Sequence, residues 1–328
     1  MEISLPLVLL TIVAIMAMPL PLSFGVNGNQ LSYNYYKYSC PNLESLVEKE
    51  LMSLFLTDIT APSSFLRLMF HDCQVQGCDA SILLNTNYIT RSTEITSSRN
   101  FAIRHRETID DIKSALEEEC PGQVSCADII VLAAKVSVVV SGGPSIEVPL
   151  GRKDSTTSSS KQADVKLPSP TISVDEFISI FKSKGMSIQE AVAILGAHTL
   201  GVGHCLNIVG RLYNQQHIKD NMDWRYKSSL RLACPTEIPM TNLTFVPNDM
   251  TPTLFDNHYY RDIMMGRGLF GIDSYISTDP RTAPFVMRFA VDQDYFFNSF
   301  KSAFVKLSSS NVLTNMQGEV RRKCYQRN

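Results

Sequence analysis

The sequence predicts a mainly α-helical fold, and three observations support that class. Apolar residues recur every three or four positions over long segments, which is the spacing of one helix face. Ser187-Ile188-Gln189-Glu190 forms a capping box, in which the serine and glutamate side chains satisfy free N–H groups of a first helical turn. No series of strands with alternating apolar and polar residues is visible.

Helical spacing identifies each predicted element in chain order. The predicted helices cover residues 43–56, 65–72, 109–116, 127–139, 175–184, 187–198, 255–265 and 295–307. Gly185 ends the fifth helix, and Gly201 and Gly203 end the capped one. The segment 154–170 is rich in Ser, Thr and Pro, so we predict a loop there.

The composition is that of an ordinary globular protein. The chain has 328 residues, 44% of them apolar and 19% charged, which is enough for one large domain or two lobes. The formal net charge of −2 gives no reason to expect a nucleic-acid partner or binding to an anionic membrane.

The amino-terminal residues predict export. Residues 5–22 are almost entirely apolar and precede the small residues Ser23 and Gly25, as in a secretory signal peptide. The region before them lacks Lys and Arg, and an uncleaved membrane anchor is the alternative, although three prolines fit a spanning helix poorly. We expect a signal peptide over residues 1–29, one domain over 30–328 and no membrane contact after cleavage.

Export also gives the eight cysteines a role. An even number in an exported chain favours four disulfide bonds, whose pairing the spacing does not decide. Zinc binding is the alternative, although no Cys-X-X-Cys pair is present. The sequon at Asn242 is a candidate glycosylation site, in keeping with export. The cysteines are Cys40, Cys73, Cys78, Cys120, Cys126, Cys205, Cys234 and Cys324.

Arg67 and His71 form the first candidate site. On a helix they are four residues apart and share one face. A guanidinium that close disfavours protonation of the imidazole, so His71 would be a neutral base. Two unrelated polar residues on one helix surface are the alternative.

His198 is the second candidate. It ends the capped helix after Gly196 and Ala197, which leave room for a bulky group. Such a histidine suits a metal or haem ligand, although a hydrogen-bonded core histidine is the default interpretation. Asp273 ends a later apolar turn and offers the carboxylate that usually accepts the other ring N–H of a ligating histidine.

These residues occur within an ordered series of motifs. The motifs are residues 39–42, 67–73, 77–81, 124–128, 142–144, 150–154, 167–170, 196–199, 251–257, 259–260 and 318–321. Over residues 30–324 they resemble the class III, or secretory plant, haem peroxidases. The resemblance implies a two-lobed helical fold with the haem between a distal and a proximal lobe.

The resemblance implies one haem b group whose iron is bound by His198. Asp273 would accept the other ring N–H of His198, which favours oxidised iron. Phe70 would contact the haem, and Pro168 would contact the donor substrate.

On the distal side, the resemblance makes His71 the base that takes a proton from peroxide and returns it to the leaving oxygen. Arg67 would stabilise the negative charge that develops as the O–O bond breaks. Asn100 would orient His71 with support from Glu94. The segment that follows Asn100 is one residue shorter than in the family.

Two Ca²⁺ sites are also implied, because hard oxygen ligands suit this ion. A solvated acidic turn is the alternative at the first of them. Asn248 stands where the family carries Asp, and the neighbouring Asp249 could replace it by a register shift. The distal ligands would be Asp72, Val75, Gly77, Asp79 and Ser81. The proximal ligands would be Thr199, Asn248, Thr251, Leu254 and Asp256.

Family pairing of the cysteines would be Cys40–Cys120, Cys73–Cys78, Cys126–Cys324 and Cys205–Cys234. Asp128 and Arg152 match a buried ion pair of the family. Gln74, Asn207 and Pro247 depart from the family pattern near the donor channel or the haem.

The expected function is that of an exported, monomeric haem peroxidase of the cell wall or vacuole. It would reduce hydrogen peroxide to water and oxidise small phenolic donors in one-electron steps, as in lignin formation or the response to oxidative stress. A catalytically weak relative that binds haem or calcium is a second hypothesis. A disulfide-rich hydrolase using His71 with Asp72 or Asp79 is a third, and it predicts no haem.

Overall fold

A computed structural model describes residues 31–85, 92–213, 221–238 and 244–328 of the chain. The expected signal peptide over residues 1–29 and the sequon at Asn242 lie outside these ranges. Among the described helices, none has the length and apolar character needed to cross a bilayer.

The described part of the chain is mainly α-helical, as the sequence predicts. Its helices are α1 (Leu43–Phe55), α2 (Ala61–Val75), α3 (Arg106–Glu119), α4 (Cys126–Val140), α5 (Ser160–Lys166), α6 (Val174–Ser183), α7 (Ile188–Leu195), α8 (Val209–Tyr213), α9 (Trp224–Ala233), α10 (His258–Met264), α11 (Gly271–Thr278), α12 (Ala283–Val291) and α13 (Gln293–Ser308). Short 3-10 turns connect several of them. The strands β1 (Val202–His204) and β2 (Phe245–Pro247) form an antiparallel pair with Gly203 opposite Val246.

The sequence prediction missed five of the described helices, and it placed the end of α7 too late. The missed helices are α5, α8, α9, α11 and α12. The helix α5 lies within the predicted loop, because the Ser159 side chain caps its first turn and Ala163 is buried against Val75 and Leu167. The capped helix α7 ends at Leu195, and a 3-10 turn, Gly196–Thr199, carries His198.

The position of this turn depends on Gly196. A Cβ there would lie 2.4 Å from a ring carbon of Phe296, so the close approach of α7 to α13 requires glycine. Phe296 belongs to a buried aromatic cluster in which it stacks on Phe255, while most other neighbouring rings meet edge-on or tilted. The other members include Phe289, Phe300 and Tyr260. This cluster forms the floor under the 3-10 turn that carries His198.

All eight cysteines lie in the described ranges and all are oxidised, which is incompatible with the zinc alternative. The bonds are Cys40–Cys120, Cys73–Cys78, Cys126–Cys324 and Cys205–Cys234, the same pairs that the resemblance implies. Cys73–Cys78 closes the loop that follows α2, and Cys126–Cys324 ties the carboxyl-terminal segment to α4.

Arg152 and Asp128 form a fully buried ion pair. The Arg152 Nη1 to Asp128 Oδ1 distance is 2.7 Å, and neither side chain is exposed. Nε and Nη2 of Arg152 donate to the carbonyl of Ser308, and Nη1 also donates to the carbonyl of Pro149, so every nitrogen of the buried guanidinium is hydrogen-bonded. Such a pair fixes one arrangement of α4 and the carboxyl-terminal end of α13 more than it adds net stability.

Candidate active site

The helix α2 places Arg67 and His71 on one face, as the spacing predicts. Arg67 Nε donates to His71 Nε2 at 3.3 Å, and Arg67 Nη2 donates to the carbonyl of Phe101 at 2.7 Å. His71 Nδ1 lies 2.7 Å from Asn100 Oδ1. Because the amide oxygen can only accept, Nδ1 carries the proton and Nε2 keeps its lone pair. The arrangement defines a neutral imidazole whose basic nitrogen faces the guanidinium.

Burial, and then the nearby Arg67 charge, lower the pKa of His71 to about 3, although the bond to Asn100 opposes this shift. Burial also lowers the pKa of Arg67 to about 10, so the guanidinium remains charged at neutral pH. This part of α2 therefore pairs a permanent cation with an uncharged base.

Asn100 reaches His71 although the following segment is short. It ends a 3-10 turn, Ser98–Asn100, and Ala102 and His105 then adopt positive φ angles of 58° and 60°. Both residues lie in the left-handed region, between Asn100 and the start of α3. The Asn100 Nδ2 donates to the backbone carbonyl of Glu94 at 2.7 Å, whereas the Glu94 side chain accepts from Gln76. Glu94 thus supports Asn100 through its main chain.

His198 belongs to a second cluster, on the 3-10 turn after α7. Its Nδ1 lies 3.0 Å from Asp273 Oδ1, which leaves Nε2 as the nitrogen for a ligand. Asp273 lies in the first turn of α11 and is 1% exposed, whereas the His198 side chain is 32% exposed. The rings of Tyr259 and Phe270 meet the imidazole edge-on, at 5.8 and 5.2 Å between centroids. A partly exposed imidazole that is held through Nδ1 and has a free Nε2 suits the binding of a haem iron.

The elements that carry the two histidines are neighbours. Gly201, three residues after His198, packs so closely on α2 that a Cβ there would lie 2.5 Å from Ser63 Oγ. The ring of Phe101, which follows Asn100, meets the ring of His204 in β1 at 5.4 Å. The loop beside His71 therefore touches the segment that continues from His198.

The predicted distal ligands include buried acidic and hydroxyl groups. Asp72 and Ser81 are both fully buried, and Asp72 Oδ1 and Ser81 Oγ have no hydrogen-bond partner. Burial, followed by the charge of Asp79, raises the pKa of Asp72. A bound cation would satisfy the buried oxygens that lack a donor, and it would offset the repulsion between the neighbouring carboxylates.

The Val75 and Gly77 carbonyls belong to the loop that Cys73–Cys78 closes. A Cβ at Gly77 would lie 2.0 Å from the carbonyl oxygen of Asn311, so only glycine allows this loop to pack there. Across the described residues, no group of three or more His, Cys, Asp and Glu side chains is arranged to hold a metal. A cation here would therefore depend on hydroxyl and carbonyl oxygens besides the carboxylates.

The predicted proximal ligands lie together, except that Asp249 takes the place of Asn248. Thr199 Oγ1 lies 2.7 Å from Asp249 Oδ2 and 3.2 Å from Asp256 Oδ1. Thr251 Oγ1 lies 3.2 Å from Asp256 Oδ1, and its N–H donates to Asp249 Oδ1. Asn248 is held elsewhere, because its Nδ2 donates to the carbonyl of Leu200 at 2.8 Å. Asp249, one residue later, is the carboxylate that meets the threonines.

The Leu254 carbonyl lies 3.4 Å from Thr199 Oγ1 and so belongs to the same proximal group. Burial raises the pKa of Asp249 to about 6, against the bonds from Thr199 and Thr251. Two carboxylates that share hydroxyl partners in a largely buried setting suit a cation.

Three further residues frame the site. Phe70 is half-buried and packs its ring against Phe181 at 6.4 Å and against His71 at 5.8 Å. Gln74 donates from Nε2 to the carbonyl of Lys166 at the end of α5, which joins α2 to the segment that leads to Pro168. Pro168 is itself half-buried. Of the other departures from the family pattern, Asn207 and Pro247 are exposed.

Comparison with known proteins adds a separate line of evidence. The model of the peroxidase family matches residues 47–292. Peroxidase 29 of Arabidopsis thaliana is 53% identical over 302 residues, which cover 91% of this chain and 89% of that relative. Peroxidase 21 of the same plant is 41% identical over 304 residues, covering 92% of each chain. The matched range contains both histidine clusters.

Proposed function

The chain belongs to the class III plant peroxidases, which are haem-dependent enzymes, and from this premise we propose that His198 holds one haem b and that His71, Arg67 and Asn100 form the catalytic group. The observation that carries the proposal is the contrast between the two histidines. His71 has a neutral amide on Nδ1, whereas His198 has a carboxylate there. The first is suited to proton transfer, and the second to holding an electron-poor metal.

His71 acts on the proton of hydrogen peroxide. Its Nε2 would accept the proton from one oxygen of peroxide and return it to the other oxygen, which would leave as water. The Arg67 guanidinium stabilises negative charge on the leaving oxygen. The Arg67 Nε to His71 Nε2 contact of 3.3 Å is longer than a typical hydrogen bond, and the peroxide would have to replace it to reach Nε2. Asn100 keeps the proton on Nδ1 throughout.

Haem, when bound, would supply the redox chemistry: two electrons would pass from it to peroxide, and two donor molecules would return them one at a time. The chain holds the iron through His198 Nε2 and orients that ring through Asp273, Tyr259 and Phe270. Phe70 lines the haem pocket, and Pro168 contacts the donor. Small phenols are the proposed donors.

The proposal includes two bound calcium ions. The distal ion is bound near Asp72, directly after His71, so it also fixes where the catalytic helix ends. The proximal ion is bound near Thr199, directly after His198. Support comes from the unpartnered Asp72 Oδ1 and Ser81 Oγ, and from the two carboxylates that meet Thr199.

Class III peroxidases related to this chain are secreted, and we propose the same for this protein, with residues 1–29 removed on export. The mature domain over residues 30–328 then acts as a monomer in the cell wall or vacuole. Four disulfide bonds, which suit an oxidising compartment, support this location.

The test is an absorption spectrum of the purified protein combined with a peroxide assay. We expect a Soret band in the wild-type protein and its loss, or severe weakening, in His198→Ala. The matched control is His258→Ala, which removes the histidine at the start of α10 and should keep the band. His71→Ala should keep the band and slow the reaction with peroxide by about 10²- to 10⁴-fold. A His198→Ala protein that retains haem normally would refute the ligand assignment.

A further inference from the structure

Asp273 accepts more hydrogen bonds than holding His198 requires. Its Oδ1 accepts from His198 Nδ1 at 3.0 Å and from the Tyr259 hydroxyl at 2.8 Å. Its Oδ2 accepts the backbone N–H of Phe270 at 2.8 Å. Because Asp273 is buried, its charge is distributed over these donors and little reaches water.

Tyr259 is fixed as a donor to this carboxylate. The residue is buried, and its ring meets the His198 ring nearly perpendicularly, at 5.8 Å. Because the ionised carboxylate can only accept, the Tyr259 hydroxyl is the donor in its 2.8 Å bond to Asp273 Oδ1. Asp273 Oδ1 is therefore shared between two donors that compete for it.

We propose that Tyr259 is a positioning residue that weakens the pull of Asp273 on the Nδ1 proton of His198, and so sets how strongly His198 donates to the haem iron. The inference rests on the proposed function, in which His198 Nε2 binds iron. Because the Tyr259 hydroxyl and His198 Nδ1 share one oxygen, the bond from Nδ1 to that oxygen is weaker than it would be with Oδ1 to itself. A weaker bond leaves the proton closer to Nδ1, which would make His198 a weaker donor and would raise the reduction potential of bound iron.

The next residue provides a matched control. Tyr260 is equally buried and contacts the Tyr259 ring at 4.9 Å. Its hydroxyl, however, donates to the carbonyls of Val192 and Ala193 at 3.0 and 3.2 Å, at the end of α7. Loss of either hydroxyl removes one buried hydrogen bond, but only Tyr259 contacts Asp273 through its hydroxyl.

The experiment compares holoenzymes that carry Tyr259→Phe, Tyr260→Phe or 3-fluorotyrosine placed at position 259. Two quantities are measured: the iron–histidine stretching frequency of the ferrous protein by resonance Raman spectroscopy, and the ferric/ferrous midpoint potential. Neither depends on turnover. Phenylalanine removes the hydrogen bond but keeps the ring contact with His198. Fluorotyrosine keeps the shape and makes the phenol a stronger donor.

We expect Tyr259→Phe to raise the stretching frequency and lower the midpoint potential, fluorotyrosine to shift both in the opposite direction, and Tyr260→Phe to leave both near wild type. Equal shifts in the two phenylalanine variants, or no shift in any variant, would overturn the inference. If Tyr259→Phe does not retain haem, the fluorotyrosine variant alone tests the inference. A lower stretching frequency with a higher midpoint potential supports it, and shifts of the opposite sign overturn it. Absence of an iron–histidine band in the wild-type protein would instead refute His198 as the ligand, and the inference with it.

Discussion

The bond between Asn100 and His71 gives a quantitative prediction. In the resting protein it joins two neutral groups over 2.7 Å, and such a bond contributes about 0.5–1.5 kcal/mol. When His71 takes the peroxide proton, the donor becomes a cation, and bonds to charged groups contribute about 1.5–3 kcal/mol. The difference of about 1–2 kcal/mol is gained only as the proton moves, so it accelerates the reaction.

Asn100→Ala should therefore slow the second-order reaction with hydrogen peroxide by roughly 5- to 30-fold at pH 7, since 1.4 kcal/mol corresponds to about tenfold. The assay is stopped-flow absorbance of the haem band under single-turnover conditions, which separates this step from donor oxidation. Asn257→Ala is the matched control. Asn257 is equally buried but bonds the carbonyls of Phe289 and Ala290, so its loss should lower stability and leave this rate unchanged.

Asn100→Asp extends the test to pH. An ionised acceptor favours the imidazolium, so the pKa of His71 should rise from about 3 in the wild type. His71 then becomes protonated at a higher pH, so the acid limb of the pH–rate profile should shift to higher pH. The hydrogen-bond acceptor on Nδ1 is retained, because the aspartate oxygen replaces the amide oxygen. A rate within twofold of wild type in Asn100→Ala, together with an unshifted acid limb in Asn100→Asp, would refute the reasoning.

Two further predictions concern stability. Burial opposes ionisation of Glu190, but bonds from Lys306, Ser302 and Ser187 outweigh it and lower the pKa of Glu190 to about 2. Glu190→Gln should lose about 1–2 kcal/mol of unfolding free energy at pH 7, after allowance for solvent screening, and the loss should shrink as pH falls from about 4.5 toward 2. Glu44→Gln, in an exposed pair with Lys135, is the control in denaturant titrations and should change little. Chelation of calcium should lower the melting temperature and peroxidase activity, and calcium should restore both; unchanged melting and activity after chelation would count against the calcium sites.

The sequence predicts the helices well where a long amphipathic pattern exists, because helical periodicity is local information. The helices α5, α8, α9, α11 and α12 were not predicted, since each has ten residues or fewer and so offers few repeats of the helical spacing. The end of α7 was also placed too late. The 3-10 turn depends on Phe296 packing against Gly196, a contact that joins residues one hundred positions apart.

The candidate site shows the same limit. Arg67 and His71 could be paired from spacing alone, because one helix carries both. The sequence left two candidates for the last proximal ligand, Asn248 and Asp249, because the loop register could not be decided from it. The structure turns Asp249 toward Thr199 and holds Asn248 on the carbonyl of Leu200. Tyr259 was visible only as part of a family motif. Its bond to Asp273, fourteen residues later, is a product of the packing of α10 against α11.

The two histidines show how partners assign a role to the same side chain. Both imidazoles use Nδ1 to contact an oxygen and leave Nε2 for chemistry. The partner of His71 is an uncharged amide that cannot take the proton, so Nε2 remains a modest base beside a cation. The partner of His198 is a carboxylate that draws the proton away and makes Nε2 a stronger donor to a metal. Tyr259 counteracts that carboxylate. Asp273 thus strengthens His198 as a ligand and Tyr259 reduces that effect. The basicity of His71 is instead lowered by burial and by the Arg67 guanidinium.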